Sequence, residues 1–114
     1  MEKSDRVPVE TIDETIKWAF GEYTASLIYE YLKKRNCPLH ETPKKLEIFS
    51  FELRMILGTG KGQIIGSAPL LEKAIVKRLC KKLGLKFNER GPVNFAEYIK
   101  KLREYYNHGK GRKH

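Results

Sequence analysis

Apolar residues recur at steps of three and four along nearly the whole chain, the spacing that gathers side chains on one side of an α-helix. Between Thr11 and Arg35 the row is Ile12, Ile16, Phe20, Tyr23, Leu27 and Tyr31. This predicts an amphipathic helix with those six side chains inward. Thr11 and Glu14 have the Thr-x-x-Glu spacing of a capping box, which places the helix start at Thr11. Gly21 interrupts the row. Glycine in a helix interior costs about 1 kcal/mol relative to alanine, so a break or kink is expected there. Asn36-Cys37-Pro38 ends the segment, because proline disfavours helical geometry at the residue before it.

The next helix is expected to begin at Thr42-Pro43, as N-cap and first helical residue. It carries Leu46, Phe49, Leu53 and Ile56 inward and stops at Gly58. Residues 58–66, GTGKGQIIG, hold four glycines in nine and read as a loop. Ser67 is placed to cap a third helix with the stripe Leu71, Ile75, Leu79 and Leu83. Gly84 and Leu85 fit the glycine and the following apolar residue of a Schellman ending. Asn94-x-x-Glu97 opens a last helix with Phe95, Tyr98 or Ile99, Leu102, and Tyr105 or Tyr106 inward. It frays at Asn107-His108-Gly109. Only Gln63-Ile64-Ile65 could extend briefly, and no run alternates with period two long enough for a strand. The fold class expected is all-α: one domain of four to five helices over residues 1–108, with a basic flexible tail at 109–114.

Part of the chain resembles a known family. Phe20-Gly21-Glu22, Leu27-Ile28-Tyr29-Glu30-Tyr31-Leu32, Pro43 with Phe49, Ile56-Leu57-Gly58, Glu72-Lys73-Ala74-Ile75-Val76-Lys77-Arg78-Leu79 and Lys82-Leu83-Gly84-Leu85 carry the likeness. They resemble the archaeal helical domains called NitrOD, described as signalling output domains. The likeness covers about residues 18–87 and consists of helix-core and cap positions. It implies an archaeal origin and a small helical fold, and brings no catalytic residues.

Charge changes the picture more than composition does. The 114 residues hold 23 Lys plus Arg against 14 Asp plus Glu, a net of +9. Residues 1–32 have three basic and seven acidic side chains, a net of −4, and the remainder has 20 basic and seven acidic, a net of +13. Such a split suggests an oriented surface, or an acidic element that docks on a basic one. Lys73, Lys77 and Lys81 fall at successive turns of the third helix, one face about 12 Å long. Arg78, Lys82 and Lys86 widen it, and across residues 67–86 only Glu72 opposes these six cations. Lys100 and Lys101 could extend one basic surface onto the last helix, together with the tail. Such a face could neutralise phosphates, or be the solvated lysine-rich face common in thermophilic proteins. Trp18 and Tyr29 lie off the first apolar row and could anchor a partner protein.

Candidate chemistry adds little. Gly58, Gly60, Lys61 and Gly62 suggest a phosphate loop, but the Gly-x-x-x-x-Gly-Lys-Ser/Thr spacing fails and no strand precedes them. A backbone nest for an anion survives as a reading, beside a plain hinge. His40, His108 and His114 lack zinc-ligand spacing. Cys37 and Cys80 are expected to be reduced, although their spacing leaves a disulfide open. Cys37 lies near His40 without an orienting acid. No apolar run approaches the roughly 18 residues of a membrane span, and no leader is visible, so a cytoplasmic protein is expected. The expectation is a non-enzymatic interaction or output module without cofactor, metal or small-molecule substrate. Its partner is another protein or, through an acidic start meeting a basic face, a second copy of itself. The alternative is a small nucleic-acid-binding protein that uses the basic helix and tail.

Overall fold

The computed structural model describes residues 3–58, 67–87 and 94–111. Within them lie α1 (Lys3–Lys34), a 3-10 turn (Leu39–Lys44), α2 (Leu46–Leu57), α3 (Ala68–Lys82) and α4 (Phe95–Gly111). No strand occurs among the described residues.

Helix α1 begins well before Thr11. Its buried row starts at Asp5 and continues through Pro8, Val9, Ile12 and Ile16, so two residues that do not read as core carry the helix one more stretch toward the N-terminus. Thr11 is interior, not a cap: its hydroxyl donates to the Val7 carbonyl at 2.7 Å, and the Thr15 hydroxyl donates to the Thr11 carbonyl at 2.6 Å. These bonds to the preceding turn satisfy two buried hydroxyls beside the fully enclosed Ile12 and Ile16.

Gly21 breaks the helix as its position predicts, with φ 82° and ψ 167°, a region essentially reserved for glycine. The break divides α1 into two arms. In an unbroken helix Asp13 and Tyr29 would stand about 24 Å apart at 1.5 Å per residue. Here the Tyr29 hydroxyl donates to Asp13 Oδ1 at 2.5 Å, so the second arm folds back beside the first. The break also resets the phase of the apolar row. Ala25, Ile28 and Leu32 are buried in the second arm, whereas Tyr23 and Leu27, expected inward, face outward. The arm ends in a Schellman motif: Asn36 takes φ 62°, its N–H donates to the Lys33 carbonyl at 3.1 Å, and Cys37 N–H donates to Leu32 at 2.9 Å.

Thr42 and Pro43 belong to the 3-10 turn and do not start the next helix, which begins after Lys45. The Thr42 hydroxyl is spent on the Leu39 carbonyl at 2.7 Å, inside that turn. Helix α2 buries Leu46, Phe49 and Leu53 and stops at Gly58, as expected. Ser67 does precede α3, but its buried hydroxyl makes no capping bond. The α3 ending matches the sequence reading in full: Leu85 N–H donates to Cys80 at 2.8 Å, and Gly84 N–H donates to Lys81 at 3.2 Å. Asn94 Oδ1 accepts the Glu97 N–H at 3.1 Å and caps α4, whose backbone stays helical past Asn107 to Gly111.

The helices share one core, with Phe49 and Phe95 rings 5.6 Å apart between α2 and α4. Two buried carboxylates cross it. Glu72 of α3 receives both Arg54 guanidinium nitrogens from α2 at 2.9 Å each, with Ser50 donating to the same carboxylate. Asp5 of α1 pairs with Arg103 Nη2 of α4 at 2.7 Å, and Arg103 Nη1 donates to the Pro43 carbonyl at 3.0 Å.

Two outcomes test this account by urea unfolding. Gly21→Ala meets no atom within 4 Å, so its cost is backbone strain alone, about 1–3 kcal/mol; unchanged stability would mean the break is not needed. Arg54→Met strands the Glu72 carboxylate and costs about 3 kcal/mol, while adding Glu72→Leu recovers much of the loss.

A cation-rimmed groove between α1 and α3

Helix α3 turns Leu71, Ile75, Val76 and Leu79 into the core, which leaves the row Ala74, Lys77, Arg78, Lys81 and Lys82 on the side facing the first arm of α1. Across from it stand Glu14, Thr15 and Trp18, one turn apart on that arm. Beyond the glycine ending of α3 the chain doubles back and adds Leu85 and Phe87. These elements enclose an open groove of about 760 Å³. Its floor is apolar, from Trp18, Ala74, Leu85 and Phe87, and its rim carries four cations against one carboxylate.

Glu14 is that carboxylate. It holds Lys82 Nζ at 2.7 Å and lies 3.9 Å from Arg78 Nη1. The Arg78 guanidinium also sits over the Trp18 ring, 5.9 Å from its centroid. Trp18 is 72% exposed, unusual for the largest apolar side chain of a domain this size. Partly exposed ion pairs such as these contribute about 1 kcal/mol or less, so a competing anion can displace Glu14.

The fold thus brings Lys77, Arg78, Lys81 and Lys82 together with Trp18, and leaves the other sequence candidates elsewhere. Lys73 is half-buried one turn before the groove. Lys86 is exposed beside it without lining it. Lys100 does not join this surface, because its ammonium is drawn 2.8 Å from Glu47, tying α4 to α2. Lys101 is exposed on α4. Glu72 does not oppose the α3 lysines either, since it is buried on Arg54. Tyr29, expected as a partner anchor, is half-buried against the core and bonded to Asp13. Of the proposed anion loop only Gly58 is described: its N–H donates to Arg54 and its carbonyl accepts Ala68 N–H, each at 3.0 Å. Gly60, Lys61 and Gly62 lie outside the described residues, as does His114.

Sequence reasoning missed Glu14 as a site residue by assigning it to a cap, and missed Leu85 and Phe87 because their placement depends on the chain reversal after Gly84. The acidic first third was the available signal for Glu14.

Nucleophilic chemistry has no support in the cysteines. Cys37 and Cys80 are unpaired and buried, and burial pushes both thiols up, away from the reactive thiolate. His40 is exposed, 3.5 Å from Glu41. Among the described residues no three His, Cys, Asp or Glu side chains gather as metal ligands, and no helix is long and apolar enough to cross a membrane. No protein-family model, curated protein or solved structure matches the chain.

Burial, and then the bond to Asp13, push the Tyr29 phenol far above its ordinary value near 10. In the unfolded chain Tyr29 loses its proton near pH 10 while the folded chain retains it, so its contribution is full below that pH and falls as pH rises. Unfolding titrations at pH 8 and pH 11 should show a larger alkaline loss for the parent chain than for Tyr29→Phe. Equal losses would rule out the buried Tyr29 phenol as the source.

Proposed function

We propose that this chain is a non-enzymatic helical interaction module that receives an acidic segment of a partner protein in the α1–α3 groove. One observation carries the reading: a carboxylate, that of Glu14, already rests on Lys82 and near Arg78 beside an exposed tryptophan. An incoming Asp or Glu would replace it, while apolar side chains of the same segment cover Trp18, Leu85 and Phe87. This is the logic of an amphipathic helix laid in a groove, with apolar anchors for affinity and charges for orientation. The likeness of residues 18–87 to archaeal output domains supports the same class, and a cytoplasmic archaeal setting rests on that likeness and the sequence.

A second reading has its own observation. A single exposed aromatic ring among four cations is also what single-stranded nucleic acid uses, bases stacking on the ring and phosphates on the rim.

Trp18 is the chain's only tryptophan, so its emission reports on the groove alone. Titration with a labelled acidic amphipathic peptide, a single-stranded oligonucleotide and a duplex, across a salt series, separates the readings. The peptide should bind and keep much of its affinity as salt rises, because the floor is apolar. Glu14→Gln should tighten binding severalfold, and Trp18→Ala with Lys81→Glu should weaken it at least tenfold. Tight oligonucleotide binding with no peptide binding would transfer the function to the second reading. Binding of neither sinks both.

A further inference from the structure

Seven of the eight large apolar side chains exposed among the described residues lie away from the groove, and five of them fall in two helical rows. Tyr23 (77% exposed) and Leu27 (52%) stand one turn apart on the second arm of α1, and Ile48 (44%), Phe51 (59%) and Met55 (64%) follow at helical spacing on α2. The two rows are linked at one point. Tyr31, one turn beyond Leu27, donates its hydroxyl to Glu52 Oε1 at 2.9 Å, and Glu52 is flanked on its helix by Ile48 and Met55. Helix α2 is therefore apolar on both sides, Leu46, Phe49 and Leu53 facing the core and Ile48, Phe51 and Met55 facing out. A surface helix ordinarily keeps polar residues on the side away from its core.

Summed over both rows these five side chains expose roughly 600 Å², comparable with the largest apolar patch on a typical monomer. Two such faces bury about 1,200 Å², which reaches the size of a specific interface. The bordering charges favour self-association. Glu30 and Lys34 continue the Tyr23–Leu27 row at the next two turns, both exposed, so the row carries one charge of each sign. A row of that kind is complementary to itself under a two-fold axis, whereas the α3 face, rich in one sign, repels its copy.

We propose that a second copy of this chain covers this face, forming a two-fold dimer through the second arm of α1 and the outer side of α2. The α1–α3 grooves stay free in both copies, so the dimer stands apart from the groove's function. Sedimentation equilibrium of the full chain between about 10 and 300 μM, at low and high salt, tests it. The expected result is twice the 13.3 kDa chain mass, insensitive to salt. Phe51→Glu, and separately Met55→Glu, should return the single mass with unchanged helical circular dichroism, since both side chains are exposed. Lys77→Glu with Lys81→Glu should leave the dimer intact. A single mass at every concentration overturns the proposal, whether or not the chain then sediments with lipid vesicles. A dimer that survives Phe51→Glu and Met55→Glu, or that is lost with the groove lysines, also overturns it.

Discussion

The conformation of one residue, Gly21, governs the arrangement of everything around it. With φ at 82° the helix cannot continue, and the two arms that result face different neighbours. The first arm lies along α3 and supplies Glu14 and Trp18 to the groove. The second reaches α2 through Tyr31 and Glu52. Glycine permits the angle but does not choose it. Both arms bury apolar residues in the shared core, and the Asp13–Tyr29 hydrogen bond spans the bend, sheltered enough to hold the phenol in its neutral form.

Charge is organised in the same economical way. Two carboxylates of the acidic first third are held in ion pairs with later helices. Asp5 is consumed by Arg103 in the middle of α4, and Glu14 by Lys82 and Arg78 on α3. Both pairs join α1 to cations of a later helix in the same chain. What remains is a rim still dominated by cations, because α3's own carboxylate, Glu72, is turned inward to Arg54. Buried pairs of this kind cost desolvation and return it only when the geometry is good, as the two-pronged Arg54 contact is.

Features fixed by neighbouring residues were legible in the sequence. The Gly84–Leu85 ending, the Asn94 cap, the stop at Gly58 and the break at Gly21 each depend on a few adjacent positions. The α3 row of cations was legible for the same reason, since one helix carries all of it. Features that depend on distant partners were not. Asp5 and Pro8 read as exterior until Arg103 and the core enclose them, so α1 starts earlier than its apolar spacing indicates. Tyr23 and Leu27 read as core because the spacing runs unbroken through Gly21, where the backbone changes phase. Trp18 meets the α3 cations only through packing between helices, and Lys100 leaves them only because Glu47 is nearer.

Cys37 and Cys80 bracket this architecture at two helix ends. Cys37 follows the last turn of α1, and Cys80 holds the carbonyl that closes the α3 ending. Both sulfurs are sealed from solvent with their protons retained. An alkylating reagent can therefore reach them only when those helix ends come undone, and the pace of labelling at each thiol becomes a clock for opening at its own end of the domain.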